Sequence, residues 1–164
     1  MSEVRIREAG VADVDLITEL VAASFKDVAE RFELTEATAP SHPAFVTAAA
    51  ITRAMDRGTL FLVAENPGER GACGCVGIRL PRQGICAMEK LAVLPQWRQH
   101  GIGSRLLEEM IARAAALGAT QIEAALIAGH GALKQWYQTR GFGHQRTERF
   151  EHLPFLVDFL YRNV

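Results

Sequence analysis

Residues 89–107 read EKLAVLPQWRQHGIGSRLL, and this stretch decides the fold. The apolar run Ile85–Leu94 predicts a strand, which a polar turn and the glycines Gly101 and Gly103 follow. Apolar residues then recur at helical spacing, so the glycines open an amphipathic helix. The first N–H groups of a helix lack intrahelical acceptors and lie at the positive end of its dipole. The stretch therefore predicts a strand, a tight turn and a helix N-terminus suited to an anion such as a phosphate group.

Two well-known phosphate loops do not fit this stretch. A dinucleotide fingerprint needs a third glycine or alanine where Leu106 stands, and a Walker loop needs Gly-Lys-Ser/Thr, which the sequence lacks. A lone Gly-X-Gly is weak evidence, since glycines at a strand-to-helix turn also serve close packing. Its weight here comes from Arg98 and His100 beside it and from a second segment downstream.

The composition favours one globular domain. The chain has 164 residues, of which 49% are hydrophobic, and 18 Lys and Arg against 19 Asp and Glu give a formal net charge of −1. This balance argues against a nucleic-acid partner held by a basic field. The chain has no apolar run near the roughly 20 residues of a membrane helix, and MSEVRIREAG lacks the pattern of a signal segment. We expect a soluble, cytoplasmic protein in which residues 1–164 form a single domain, with no membrane partner.

Three cysteines, Cys73, Cys75 and Cys86, leave one thiol without an intrachain partner. Reduced thiols in a cytoplasmic protein are the simpler interpretation. Cys73 and Cys75 could form a metal or redox pair, or pack in the core on one face of a strand. We favour packing, and the sequence predicts no metal site.

The order of predicted elements is strand, two helices, three strands, helix, strand, helix and two strands. The first helix begins at Asp13 and gives way to a loop over Lys26–Pro43, in which we expect one helical turn at most. Ala44–Arg57 is the second predicted helix, and Asn66-Pro67-Gly68 is a hairpin turn between two strands. This order predicts an α/β (α+β) layered domain with a mixed sheet.

Two motifs resemble those of the GNAT N-acetyltransferase superfamily. RQHGIG, residues 98–103, is similar to its Arg/Gln-X-X-Gly-X-Gly/Ala loop, and HGALKQWYQTRGF, residues 130–142, is similar to its Asn-X-X-Ala-X-X-hydrophobic-Tyr-X-X-X-Gly-Phe segment. The resemblance covers Glu89–Phe142. It implies a mostly antiparallel central sheet of about seven strands flanked by about four helices. It also implies transfer of an acetyl group from acetyl-CoA to an amine of a small molecule or peptide.

The resemblance further implies how acetyl-CoA is held. Its pantetheine arm would pair with backbone groups of Leu91, Ala92 and Val93. Its pyrophosphate would bind the backbone amides of a six-residue loop, which comprises Gln99, His100, Gly101, Ile102, Gly103 and Ser104. Arg98 would add a charge-assisted contact, or would be a solvated surface arginine. His130 stands where the family has asparagine, and would contact the coenzyme or serve as an auxiliary base.

Two residues are candidates for proton transfer. An ammonium group must lose a proton before it attacks, and Glu89 would accept that proton directly or through water. Strand alternation predicts that Glu89, Leu91 and Val93 share one face, in an apolar surrounding that strengthens a carboxylate as a base. The alternative is a salt-bridged strand carboxylate. The resemblance implies that Tyr137 protonates the leaving thiolate, and the alternative is that Tyr137 and Trp136 only pack the helix.

The remaining expectations concern the acceptor and the assembly. Phe25 and His42 are candidates for the acceptor pocket, and the alternatives are a core-capping phenylalanine and a surface histidine. The apolar PFLVDFLY over Pro154–Tyr161 would form a homodimer interface or an internal strand. The competing functions are a non-catalytic acyl-CoA-binding regulatory module and a transferase of a longer acyl group.

Overall fold

A computed structural model describes residues 4–66, 68 and 71–164. The described chain contains seven strands in one sheet and four helices, which confirms the predicted mixed fold. The strands are β1 (Arg5–Glu8), β2 (Leu60–Glu65), β3 (Ala72–Ile78), β4 (Ile85–Val93), β5 (Gln121–Ile127), β6 (Gly143–Arg149) and β7 (Leu156–Asn163). The helices are α1 (Val14–Arg31), α2 (Ala48–Asp56), α3 (Ile102–Ala116) and α4 (Gly131–Gln138).

The sheet has the order β1-β2-β3-β4-β5-β7-β6, and all its pairs are antiparallel except β4–β5. The parallel pair is short, because only Ile85–Ala87 and Gln121–Glu123 pair with one another. Both strands continue beyond this contact, so the edge of β4 that faces β5 has no strand partner from Met88 onwards. The sheet therefore opens between these two strands.

Each face of the sheet is covered by helices. On one face α3 buries residues that recur at spacings of three and four, namely Ile102, Leu106, Leu107, Met110, Ile111 and Ala114. On the other face α1 and α2 pack against the side chains of Phe61, Val63 and Cys75. A buried side chain of this size stabilises the fold by about 1.5–3 kcal/mol relative to its exposed state. These two layers hold the opening between β4 and β5 in place.

A β-bulge at Lys90 corrects the predicted arrangement of β4. Gly77 pairs with Glu89 and Cys75 with Ala92, so β4 advances three residues where β3 advances two, and Lys90 has φ 53°. The extra residue places Glu89 on the α1–α2 face beside Phe61, whereas Leu91 and Val93 pack against the α3 cluster. The prediction that these three side chains share one face is therefore wrong.

A second bulge corrects the predicted facing of two cysteines. Glu65 pairs with Ala72 and Ala64 with Gly74, which leaves Cys73 as the extra residue of β3. Cys73 consequently packs in the α3 cluster and Cys75 in the α1–α2 cluster. The two side chains do not share a face as predicted. Both are buried as free thiols, in agreement with a packing role.

Two helix boundaries also differ from the predictions. Residues 26–31 continue α1 and are not a loop, because KDVAER contains no helix breaker and Ala29 is buried against Leu34 and Ala39. α2 begins at Ala48 and not at Ala44, because the Thr47 hydroxyl caps it by accepting from the Ala50 N–H at 3.2 Å. Pro67 of the predicted hairpin turn lies outside the described residues.

The apolar C-terminal segment is an internal strand. β7 lies between β5 and β6 and pairs with both, and Val157 and Leu160 are buried. Sheet pairing within one chain therefore accounts for the residues that suggested a homodimer interface.

Candidate active site

A cavity of about 1110 Å³ lies at the split between β4 and β5. Besides β4 and β5, its lining comes from the N-terminus of α3, α4, α1, the segment before α2, the β6–β7 connection and β7. The cavity brings together most of the predicted site residues, namely Phe25, His42, Glu89, Leu91, Val93, Arg98, Gln99, Gly101, Ile102, Gly103, Ser104, His130 and Tyr137. Ala92 is instead buried in the α1–α2 cluster, and the His100 ring bonds to carbonyls of its own loop.

The loop before α3 presents a row of free donors. The backbone N–H groups from Gln99 to Ser104 donate to no acceptor in the part of the chain that the structure describes. Gln99 and Gly101 have φ 64° and 78°, a conformation that curls the loop and favours glycine. A Cβ at Gly103 would lie 3.5 Å from Trp136, an ordinary contact, so internal packing does not require glycine there. The geometry of this loop, residues 99–104, therefore suits an anion, and we call it the anion cradle.

The Arg98 side chain is 38% exposed, but protein oxygens hold its guanidinium. Its Nη1 donates to Asp27 Oδ2 at 2.5 Å, its Nη2 to the Ser24 carbonyl at 2.6 Å and its Nε to the Val93 carbonyl at 3.2 Å. The hydrogen bond from Arg98 holds the pKa of Asp27 below its ordinary value. Arg98 thus ties the loop to α1, and its guanidinium is already occupied by protein oxygens.

Arg140, which sequence reasoning missed, places a cation at the cradle. Its Nε and Nη2 donate to Ser104 Oγ at 3.0 and 2.9 Å, and its guanidinium stacks on the Trp136 ring at 3.9 Å. Its remaining contacts are the Trp136 carbonyl and the Thr139 hydroxyl, so all its acceptors are uncharged. A cation at a helix N-terminus opposes the dipole, which favours an anion there. Its position just before Gly141 in the second motif was the available signal.

α4 carries two predicted site residues, His130 and Tyr137. His130 caps the helix, since its Nδ1 accepts from the Leu133 N–H at 3.3 Å, and burial lowers its pKa. The Tyr137 ring packs edge-on between Trp136 and Phe142. Its hydroxyl has no hydrogen-bond partner among the described residues, yet it is not sealed off, because Tyr137 lines the cavity. Burial raises the pKa of Tyr137 well above its usual value, so the phenol carries its proton at neutral pH.

Glu89 lies in a charged surrounding and not in the apolar one predicted. Its Oε2 lies 3.0 Å from Arg79 Nη2 and 3.9 Å from Lys90 Nζ, and its side chain is 17% exposed. The bulge at Lys90 turns it to the cavity wall on the α1–α2 face.

Glu123 is a second carboxylate of the cavity wall that sequence reasoning missed. It pairs with Ala87 across the β4–β5 contact, and accepts from the Tyr161 hydroxyl at 2.6 Å. Tyr161 in turn accepts from Arg146 Nη1 at 3.0 Å. No cation forms an ion pair with Glu123 within the described ranges. An acidic residue in the otherwise apolar strand TQIEAALI was the signal in the sequence.

Phe25 and His42 line the cavity from α1 and from the segment before α2. His42 is 7% exposed, its ring lies 6.0 Å from that of Phe25, and its Nδ1 accepts from the Ala44 N–H at 3.2 Å. Burial lowers its pKa, so the imidazole is neutral at pH 7. His42 is therefore a cavity residue and not a surface histidine.

The described residues contain neither a metal-site cluster nor a membrane-spanning helix. No group of three or more His, Cys, Asp or Glu side chains there has the geometry of a metal site. None of the helices described combines the length and hydropathy needed to cross a membrane.

Solved structures of acetyltransferases share this fold. The PaiA N-acetyltransferase of Thermoplasma acidophilum, in complex with coenzyme A, has TM-score 0.79 at 15% identity over 99% of each chain. The YncA protein of Salmonella typhimurium, with its cofactor acetyl-CoA, has TM-score 0.70 at 19% identity over 98% of this chain and 93% of that one. The ribosomal-protein-alanine N-acetyltransferase of Brucella melitensis has TM-score 0.73 at 20% identity over 98% and 99%.

The family follows from the sequence itself. Residues 57–144, more than half of the chain, match the model of the acetyltransferase (GNAT) domain. The chain belongs to the GNAT acetyltransferase family, and the resemblance drawn from its two motifs is confirmed. No curated protein matches the sequence significantly.

Proposed function

We propose that this protein is an acetyl-CoA-dependent N-acetyltransferase, which moves an acetyl group from the coenzyme A thioester to a primary amine of a small molecule or peptide by direct attack. One observation carries the proposal: a single cavity joins an anion cradle to a wall with two carboxylates, and Tyr137 also lines it. Family membership and the coenzyme complexes of PaiA and YncA support the choice of donor. We also propose that residues 1–164 form one N-acetyltransferase domain, because a single sheet runs from Arg5 to Asn163.

The cradle would hold the pyrophosphate of acetyl-CoA. The free N–H groups from Gln99 to Ser104 supply the donors, and Arg140 supplies a full positive charge. The missing side chain of Gly103 leaves room for a phosphate group to approach the backbone. The pantetheine arm would pair with the edge of β4 near Leu91 and Val93, where β5 has diverged.

Glu89 would take the proton from the acceptor. The acceptor enters as an ammonium, and the ionised Glu89 carboxylate accepts one proton directly or through a water molecule. Arg79, at 3.0 Å, fixes the orientation of this carboxylate. The free amine then attacks the thioester carbon, and a backbone N–H near Leu91 would hold the oxyanion that forms. A C–N bond forms, the C–S bond breaks, and the electron pair leaves on sulfur.

Tyr137 would return a proton to the leaving thiolate. Its raised pKa keeps the phenol protonated at neutral pH, so it is ready to donate. Packing between Trp136 and Phe142 fixes the ring, which restricts the hydroxyl to one position in the cavity. The nitrogen that attacked then loses its second proton, which returns through water to the Tyr137 oxygen, and Glu89 releases the first proton to solvent. The products are an amide and free coenzyme A.

The test is to mix the purified protein with acetyl-CoA and a panel of amines while following the release of free thiol. We expect release that depends on the amine, together with the acetylated product by mass spectrometry. Tight coenzyme binding without thiol release for any amine would favour a regulatory module. Faster release from butyryl-CoA or octanoyl-CoA than from acetyl-CoA would identify a transferase of longer acyl groups.

A further inference from the structure

The part of the cavity formed by α1, β5 and β7 is walled mainly by aromatic and aliphatic side chains. Phe25 and His42 face it from the α1 side, and Phe159 of β7 faces it beside Ala125 of β5, with which it is in register. The Phe150 ring packs on Phe159 at 6.2 Å between centroids. A pocket of this composition binds an aromatic or aliphatic body more readily than a polar chain.

Glu123 gives this part of the wall a negative charge. Among the described residues no cation forms an ion pair with its carboxylate, which accepts from the Tyr161 hydroxyl at 2.6 Å. The cationic groups of Arg79 and Lys90 lie 3.0 and 3.9 Å from the Glu89 carboxylate. Arg146 is not among the residues that line the cavity; it stacks on Phe159, pairs with Glu148 at 2.7 Å and donates to the Tyr161 hydroxyl at 3.0 Å.

Among the described residues, Glu123 therefore offers an ammonium group a carboxylate without an ion pair, whereas the cations Arg79 and Lys90 both lie beside the Glu89 carboxylate. His42 adds no positive charge, because its imidazole is neutral at pH 7. An acceptor that carries a carboxylate beside its amine would lose the hydration of that carboxylate and would compete with Glu89 for these cations. The Glu123 carboxylate would also repel it.

We infer that the acceptor is a primary amine on an aromatic or apolar body without an adjacent carboxylate, and that Glu123 binds its ammonium group. This inference rests on the proposed acetyl transfer and adds the class of acceptor. Glu123 lies opposite Ala87, two residues before Glu89 on β4, so the ammonium bound by Glu123 is near the proposed base. The rings of Phe25 and Phe159, which both line the cavity, hold the body of the substrate.

Matched acceptors test this inference. 2-Phenylethylamine and phenylalanine share a ring and an amine and differ by one carboxylate, whereas 1,4-diaminobutane has amines without a ring. We expect kcat/KM for 2-phenylethylamine to exceed that for phenylalanine by at least about 30-fold, because the carboxylate of phenylalanine is desolvated, is repelled by Glu123 and must compete with Glu89 for a cation. We expect 1,4-diaminobutane to be at least about tenfold poorer, because it fills none of the aromatic pocket. Equal use of either competitor overturns the inference.

A Glu123→Gln variant tests the residue. It retains an oxygen that accepts from Tyr161 but removes the charge, so we expect the KM for 2-phenylethylamine to rise about tenfold or more while the KM for acetyl-CoA stays unchanged. Glu19→Gln removes an exposed carboxylate of α1 that lies outside the cavity lining and is the matched control, with changes of about twofold at most. An unchanged amine KM in Glu123→Gln overturns the assignment. Thiol release with other amines would then leave the proposed function standing, whereas no release with any amine would remove both.

Discussion

Replacing Arg140 by glutamine tests the anion cradle. Arg140 is the cation at the N-terminus of α3 whose acceptors are all uncharged protein oxygens, so its charge is available to a phosphate. Glutamine keeps a side-chain donor and much of the packing on Trp136 but removes the charge. The expected result is weaker coenzyme A binding with little change in the fold.

The magnitude follows from the position of the guanidinium. A hydrogen bond to a charged group contributes about 1.5–3 kcal/mol, and the half-exposed position of Arg140 puts the expectation near the lower end because solvent screens the charge. A loss of about 1.5–2 kcal/mol corresponds to a roughly 10- to 30-fold higher Kd. Arg140→Lys keeps the charge without the planar fork and should fall between the two proteins.

Calorimetric titration with coenzyme A measures the effect. Arg113→Gln is the matched control, since it removes the same charge from the last turn of α3, where Arg113 pairs with Glu8 at 3.1 Å. It should change the Kd by about twofold at most. Dephospho-coenzyme A separates the two phosphate positions: an equal loss for both ligands assigns Arg140 to the pyrophosphate, and a loss only for coenzyme A assigns it to the 3′-phosphate. A Kd for Arg140→Gln within about twofold of the parent protein would refute the role of Arg140.

Three further predictions concern the chemistry and the frame around it. Tyr137→Phe should lower kcat by about 10²-fold or more without changing the Kd for coenzyme A, and full turnover would remove Tyr137 as the acid. Because the pKa of Tyr137 is raised, the parent enzyme should show no alkaline loss from this group up to about pH 9.5, which a pH–rate profile measures. Glu89→Gln should lower kcat by a similar factor, whereas an unchanged kcat would move the base elsewhere. Lys134→Met should lower the free energy of unfolding by about 2–3 kcal/mol at pH 7 in urea titrations, because it strips the cation from Asp158, which is 3% exposed. Burial alone would raise the pKa of Asp158, but the hydrogen bonds from Thr147 and Lys134 hold it below its ordinary value. The difference in unfolding free energy between the parent protein and Lys134→Met should therefore persist above about pH 4 and shrink as the pH falls further. A difference that does not depend on pH would contradict the ion pair.

The elements that the sequence predicts well are those with a strong local pattern. The apolar spacing of α3 and the glycines before it locate the helix and its N-terminus, and the two motifs place the cradle beside α4. The end of α1 was missed for a physical reason. Residues 26–31 pack against a small separate cluster around Leu34 and Ala39, so their apolar positions are too few to mark a helical face.

The charge partners could not be read from the sequence. Arg98 was a candidate for the phosphate, yet Asp27 on α1, which is distant in the chain, occupies its guanidinium. Arg140 was passed over, although the fold brings it to Ser104 at the cradle. Tertiary contacts between distant segments decide which arginine has a charged partner, and local sequence composition does not predict those contacts.

The bulge at Lys90 explains how one strand could serve both substrates. Strict alternation would put Glu89, Leu91 and Val93 on a single face, and the proposed base would then compete with the coenzyme for the same space. The inserted residue turns Glu89 to the face that carries Glu123, whereas Val93 stays on the α3 face, 3.7 Å from the position of a Cβ at Gly103. The bulge holds Lys90 at φ 53°, a conformation that costs a residue other than glycine about 1–3 kcal/mol. Such strain persists only where the surrounding structure imposes it. Here the strained residue lies between Glu89, the proposed base, and Leu91 on the proposed coenzyme-binding edge of β4. The bulge therefore sets the proposed base and the proposed thioester site on opposite faces of one strand, close enough for direct attack.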